Sequence, residues 1–187
     1  DVLYKMDMNK GTKKELATGL NEDQYVASED GHLVAYEKED PSKSKSVTVM
    51  NLETDQEYEV TCKDGECIKP LGFMDGDFVY GVAKTEEVGT TLSGAQVIPM
   101  YKVEITSSKD KVIKTYEQSG IYVLSATFED NMITLDRAVK DGDTYTGTAQ
   151  DYITSSEEGE RKQLIYDADI IKQIMKRDYK VRPDVIE

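Results

Sequence analysis

The sequence has one histidine, two cysteines and no tryptophan among its 187 residues. With His32 as the single imidazole and no Gly-x-Ser-x-Gly elbow, a base, an orienting acid and a nucleophile cannot be assembled into a hydrolytic triad. A four-ligand zinc site is hard to complete from one histidine and two cysteines. Phosphate-binding loops of the Gly-x-x-x-x-Gly-Lys type are absent. We therefore expect a non-enzymatic chain with no cofactor and no metal site.

Basic residues are also scarce, because 23 lysines and arginines face 37 aspartates and glutamates and leave a net charge of −14. This balance repels the phosphates of nucleic acids and the anionic heads of lipids. No apolar run approaches the roughly 20 residues that a membrane-spanning helix needs. We expect neither a nucleic-acid partner nor membrane insertion by this chain.

The clearest pattern in the sequence is a predicted β-hairpin at residues 47–60. Met50-Asn51-Leu52 and Tyr58-Glu59-Val60 alternate apolar and polar residues, as a half-buried strand does, and residues 53–56 supply the turn. Similar segments begin at Met6 and Val103. Because phenol rings suit such strands, we expect these tyrosines in or beside sheets: Tyr80, Tyr101, Tyr116, Tyr122 and Tyr145.

A second pattern recurs in step with the hairpins. A turn centred on aspartate precedes an apolar strand at Asp30-Gly31, Asp75-Gly76 and Asp130-Asn131. Glycine and asparagine both accept the positive φ that tight hairpin turns require. These turns are 45 and 55 residues apart, and the hairpin markers Met6, Met50 and Val103 are 44 and 53 residues apart. The two patterns therefore share one period.

A period of about 40 to 55 residues that contains four short strands is typical of a β-propeller blade. We predict an all-β fold, a partial β-propeller of about three and a half four-stranded antiparallel blades. The half blade is residues 3–18, and the whole blades are residues 24–61, 68–116 and 123–166. Propellers close with about four to eight blades, so we interpret the chain as a piece of a longer protein. Its open blade faces would favour self-association.

The segment Tyr4-Lys5-Met6-Asp7-Met8 and the Asp-Gly turns that run into apolar strands resemble the TolB-like, WD40-like propeller repeats of bacterial envelope and surface proteins. The resemblance covers residues 3–166 and implies a non-enzymatic binding or scaffolding segment at the cell surface or in the envelope. The partner would be a protein or a glycan. The alternative is the accessory propeller portion of a larger hydrolase, a peptidase or a glycan-degrading enzyme.

Loops of different length occupy equivalent places in the three blades, at residues 38–46, 84–95 and 140–143. Variable loops on a fixed scaffold are where binding residues tend to lie, and we expect these loops on one face. The alternative is that they are solvated connections. Asp75-Gly76-Asp77 and Asp141-Gly142-Asp143 could offer carboxylates to Ca²⁺, but hairpin turns explain both segments without an ion.

After residue 166 the pattern changes from strand to helix. Ile170, Ile171, Ile174 and Met175 recur at helical spacing, so we predict one helix at residues 167–179 and an extended tail to residue 187. The predicted domains are thus residues 1–166 and 167–187. This helix would cover an open end of the array or begin a linker.

The two cysteines, Cys62 and Cys67, flank Lys63-Asp64-Gly65-Glu66. Asp-Gly is a strong turn former, so the chain is expected to double back and bring the two Cβ atoms close together. We predict a disulfide between them, which places the protein outside the cytoplasm in an oxidising compartment. A pair of reduced thiols in a cytosolic protein is the alternative.

Overall fold

The computed structural model describes residues 1–90, 95–107, 111–129 and 131–155. These residues form fifteen β-strands and two short 3-10 turns, Glu22–Gln24 and Thr85–Glu87, and they contain no α-helix. The all-β part of the prediction is therefore confirmed. The predicted helix at residues 167–179, the tail and the boundary at residue 166 lie outside the described residues, as does Asp130. Nowhere in the described part is a helix long and apolar enough to cross a membrane.

The first 61 residues form two antiparallel sheets. The strands are β1 Val2–Asp7, β2 Thr12–Thr18, β3 Tyr25–Ala27, β4 Leu33–Tyr36, β5 Ser46–Asn51 and β6 Glu57–Thr61. β1 and β2 make a separate hairpin, and β3 to β6 make a four-stranded sheet in sequence order. β5 and β6 are the predicted hairpin, and Asn51 Oδ1 accepts hydrogen bonds from the Glu53 and Thr54 amides in its turn.

The remaining described residues form a seven-stranded sheet and a short hairpin. The strands are β7 Glu66–Met74, β8 Asp77–Lys84, β9 Gly89–Thr90, β10 Gln96–Val97, β11 Met100–Ser107, β12 Lys111–Glu117, β13 Ile121–Glu129, β14 Met132–Asp141 and β15 Thr144–Thr154. β9 pairs with β10. The sheet order is β15-β14-β13-β11-β8-β7, with β12 also paired to β11. The five tyrosines expected in or beside sheets all lie in strands, as predicted.

Strand β8 is buried on both faces, which explains its nearly continuous apolar sequence. Phe78, Tyr80 and Val82 pack with Val47, Val49 and Val60 of the four-stranded sheet. Val79 and Ala83 point the other way, into a core shared with Ile133, Leu135 and Ile153 of β14 and β15. The layer made by β7, β8 and β11 therefore lies between the four-stranded sheet and the β13–β15 strands.

The β13–β15 strands are tied to β12 by a polar network as well as by the core. Arg137 on β14 donates hydrogen bonds to Tyr116 Oη at 3.1 Å, Gln118 Oε1 at 2.9 Å and Asp151 Oδ2 at 3.1 Å. Tyr116 donates to the same Asp151 oxygen at 2.9 Å. Because the guanidinium is largely buried, these contacts fix how β12 lies against β14 and β15.

The predicted propeller is wrong. Residues 24–61 do contain a four-stranded sheet, but β7, β8 and β11 to β15 belong to one hydrogen-bonded sheet, and none of the sheets in the described residues is closed. The reason lies at the start of β11. Its pairing with β12 begins at Lys102, so Met100 is left free to pair with Val123 of β13. That contact joins two predicted blades into one sheet. Self-association of open faces stays a prediction.

Candidate binding cleft

The structure brings two of the three predicted loops together. Residues of the 84–95 loop face the turn between β14 and β15 across an open cleft of about 570 Å³. We call this the inter-loop cleft. It is lined by Glu86, Glu87, Val88, Gly89, Thr90, Gln96, Lys140, Asp143 and Tyr145. Its volume falls within the range of about 300–1,000 Å³ that is usual for sites of small ligands.

The floor of the inter-loop cleft is the Tyr145 ring, which Tyr122 and Glu87 hold in place. Tyr122 and Tyr145 meet edge to face, with ring centroids 5.3 Å apart. Tyr122 donates a hydrogen bond to Glu87 Oε1 at 3.1 Å, and Tyr145 donates to the Glu87 carbonyl at 2.8 Å. Burial, and next the hydrogen bond to Glu87, raise the pKa of Tyr122, and burial, and next the Glu87 charge, raise the pKa of Tyr145. Both phenols therefore stay neutral donors, and Tyr145 forms a fixed floor.

One wall of the cleft is the hairpin of β9 and β10. Gly89 lies against the floor, because a Cβ at this position would be 3.4 Å from Cε2 of Tyr145. Val97 at the end of β10 packs with Ala138 and Tyr145 beneath the cleft. The wall is thus carried by a small core and does not depend on loop contacts alone.

The rim of the cleft is polar and mainly acidic. Glu86, Gln96 and Asp143 are exposed, and Lys140 lies opposite with its Nζ 5.8 Å from the Tyr145 ring centroid. Carboxylates accept hydrogen bonds, the ammonium donates them, and the amide of Gln96 does both. Such a rim suits a ligand that is rich in hydroxyl and amide groups.

The third predicted loop, residues 38–46, does not line the inter-loop cleft. Its own Ser42 and Ser44 are buried, as are the polar side chains of Gln24 and Glu37. Glu37 is 1% exposed, and neither of its carboxyl oxygens has a hydrogen-bond partner in the structure. Burial raises the pKa of Glu37 to about 8. Sequence reasoning missed this residue, because Tyr36-Glu37-Lys38-Glu39 has the polarity of an ordinary exposed strand end.

Cys62 and Cys67 lie on either side of the connection from β6 to β7. Cys67 is fully buried in the core with Val79 and Met100. Cys62 is half-buried, and its thiol is 3.6 Å from the Lys45 carbonyl. Burial raises the pKa of both thiols, that of Cys67 to about 11. The structure carries them as free thiols, and their disulfide stays a prediction.

The other residues considered from the sequence lie in turns. His32 is exposed, with Nδ1 at 3.1 Å from Glu53 Oε1. Asp75 and Gly76 both have positive φ, as a tight two-residue hairpin turn requires. Asp143, which was considered as a calcium ligand and as part of the 140–143 loop, lies on the rim of the inter-loop cleft. In the described part of the chain, no group of three or more His, Cys, Asp or Glu residues could hold a metal ion.

No family model and no curated protein matches the sequence, so the TolB-like resemblance stays a prediction. A solved protein of Clostridium novyi NT, described as a conserved lipoprotein, is similar in structure with a TM-score of 0.52. The two sequences are 14% identical, and the similarity covers 75% of this chain and 93% of the other. At this identity the similarity shows the fold alone.

Proposed function

We propose that this chain is a non-enzymatic binding module of a bacterial cell-surface or envelope protein. The observation that carries the proposal is the inter-loop cleft, where two loops meet over the Tyr145 ring, which Tyr122 contacts edge to face. Loops on a rigid β scaffold commonly carry binding residues. The site is a place to hold a ligand, and the layers beneath it serve as the scaffold.

The ligand we propose is a short segment of a glycan or of a protein. The cleft is large enough to hold a short segment of a chain. A protein–protein interface of ordinary size is instead a broad surface that buries about 800 Å² on each partner. Sugar hydroxyls and peptide amides match the carboxylates, the amide and the ammonium on the rim. The buried Tyr145 ring beneath them offers an apolar surface for contact.

The proposed location draws on the fold similarity to a protein described as a conserved lipoprotein. It also agrees with the predicted disulfide, since such bonds persist in oxidising compartments outside the cytoplasm. Material from the bacterial envelope is therefore the probe for a binding experiment.

Cosedimentation with purified bacterial cell-wall sacculi tests the proposal. The chain should bind, and Asp143→Ala and Gln96→Ala should each weaken binding about tenfold, because each removes a hydrogen bond to the ligand. Glu59→Ala is the matched control, since Glu59 is an exposed strand residue outside the cleft, and it should bind as the parent chain does.

A second arm treats the sacculi with protease before mixing. Binding that survives this treatment identifies a glycan ligand, and binding that disappears identifies a protein ligand. Absence of binding to either preparation, or binding that the two cleft substitutions leave unchanged, would contradict the proposal.

A further inference from the structure

Glu37 is buried where the end of β4 meets the 38–46 loop, and its carboxyl group is without a hydrogen-bond partner. Burying a charged carboxylate without partners is costly, so a group in this position either finds donors or becomes neutral. Whether Glu37 is ionised or neutral therefore depends on the groups that surround its carboxyl.

Three neutral polar side chains near Glu37 make hydrogen bonds to other acceptors. Ser44 Oγ donates to the Ser46 carbonyl at 3.0 Å, and Ser42 Oγ donates to Asp40 Oδ1. Gln24 Nε2 donates to the Glu39 carbonyl at 2.7 Å and to the Glu37 carbonyl at 3.4 Å. The Ser44 hydroxyl, which lies beside the Glu37 carboxyl, favours the ionised form of Glu37, but burial disfavours that form more strongly. A neutral carboxylic acid, which carries its own O–H donor, therefore suits this buried position better than a carboxylate does.

The charges around Glu37 act in both directions. Lys69 on β7 favours the ionised form. Asp23 in the first 3-10 turn and Asp40 in the 38–46 loop disfavour it, and Cys67 on β7 is a thiol close enough to feel the Glu37 charge. Burial is the largest influence and outweighs both the Ser44 hydroxyl and Lys69, so the pKa of Glu37 is raised to about 8.

The 38–46 loop also ties two sheets together. The Ile68 amide donates to the Ser44 carbonyl at 2.9 Å, and the Cys62 amide donates to the Lys45 carbonyl at 3.1 Å. These bonds join the loop of the four-stranded sheet to the connection that enters β7. A change at Glu37 thus reaches the joint between the four-stranded and the seven-stranded sheet.

We propose that Glu37 is a proton-operated latch: as the neutral acid it holds the 38–46 loop in place, and loss of its proton releases this loop from β7. The latch is independent of ligand binding in the inter-loop cleft, since Glu37 and the 38–46 loop do not line that cleft.

The first test compares the whole chain with Glu37→Gln, in which the amide imitates the neutral acid. A raised pKa in the folded state contributes stability that is fully present below the unfolded pKa of about 4.5 and is lost as pH rises to about 8. We therefore compare the folding equilibrium constants of the parent chain and of E37Q. The ratio of parent to E37Q should fall about tenfold for each pH unit between about pH 5 and pH 8, and it should stay constant above pH 8. Urea unfolding at each pH measures it.

Glu39→Gln is the matched control, because Glu39 is exposed two residues away. This variant should follow the pH dependence of the parent chain. A constant ratio of the equilibrium constants of parent and E37Q across this range would overturn the latch.

The second test reads the parent chain directly and does not need the variant to fold. The side-chain carboxyl ¹³C resonance of Glu37 should titrate near pH 8. Above that pH, the amide hydrogens of Ile68 and Cys62 should exchange faster than the intrinsic pH dependence of amide exchange alone predicts. A Glu37 titration near the ordinary value of about 4.5 would overturn the proposal. So would exchange at Ile68 and Cys62 that rises only at the intrinsic rate.

Discussion

Single residues at the joint between β6 and β7 carry much of the chemistry in this chain. Cys67 is buried in one core, and Cys62 packs against the edge of the other, so a bond between them would connect the two. Because burial raises the pKa of both thiols, neither is an effective nucleophile near neutral pH. We expect the pair to be structural.

The predicted disulfide gives a simple outcome at this scale. The chain produced in an oxidising compartment, then unfolded without reductant, should show no free thiols in a thiol titration, because a bond between Cys62 and Cys67 would occupy both. The same sample after reduction should show two thiols per chain, which controls for the assay. Two free thiols per chain before reduction would show that the disulfide is not formed. The argument that the disulfide places the protein outside the cytoplasm would then fail as well.

Some residues were predictable and others were not. Asp75-Gly76 was predictable as a tight turn, because Gly is the residue that accepts positive φ without strain and strands flank it. Glu37 was not, since its burial depends on the 38–46 loop folding back over it. Glu87 was missed for the same reason. Its partners Tyr122 and Tyr145 lie 35 and 58 residues away in the chain, and no local pattern connects them.

At the scale of strands, β8 and β11 pack closely at Gly81 and Met100. An added Cβ at Gly81 would lie 1.9 Å from Met100 Sδ and 3.1 Å from Met100 Cβ. Met100 is fully buried and pairs with both Ala83 and Val123, so it stands where β8, β11 and β13 meet. This position has little room to move, and small residues are required opposite it.

Gly81→Ala should therefore lower the free energy of unfolding by about 1–3 kcal/mol, as overpacking of a filled core does. Urea denaturation measures the change. Gly147→Ala on β15 is the matched control, because a Cβ there meets nothing within 4 Å, and its effect should stay within about 0.5 kcal/mol. Equal effects of the two substitutions would show that Met100 moves aside.

Strand pairing shows why the sequence predicted elements better than their assembly. The hairpin at residues 47–60 follows from local alternation and a turn, and it is present as β5 and β6. The contact of Met100 with Val123 joins strands that are adjacent only in space. A periodic sequence suggests equal, separate blades, but it contains no information about which strand edge remains free for a later strand.

At the scale of the whole molecule, the chain is a stack of antiparallel layers in which the middle one, with β7 and β8, is covered on both faces. This arrangement makes a rigid scaffold without requiring a closed ring. Among the described residues, the 84–95 and 140–143 loops meet at the inter-loop cleft, and the 38–46 loop covers Glu37. The molecule thus separates its proposed binding surface from its proposed proton latch.

The proposed binding surface can be mapped directly by titrating the ¹⁵N-labelled chain with cell-wall material solubilised from sacculi and following the backbone amide resonances. If the ligand binds in the inter-loop cleft, the largest chemical-shift changes should fall on residues that line it: Glu87, Gly89, Gln96 and Asp143. In the Asp143→Ala variant these changes should be smaller at the same ligand concentration. Shifts centred on the 38–46 loop or on the β1–β2 hairpin, or spectra that stay unchanged at saturating ligand, would contradict the account.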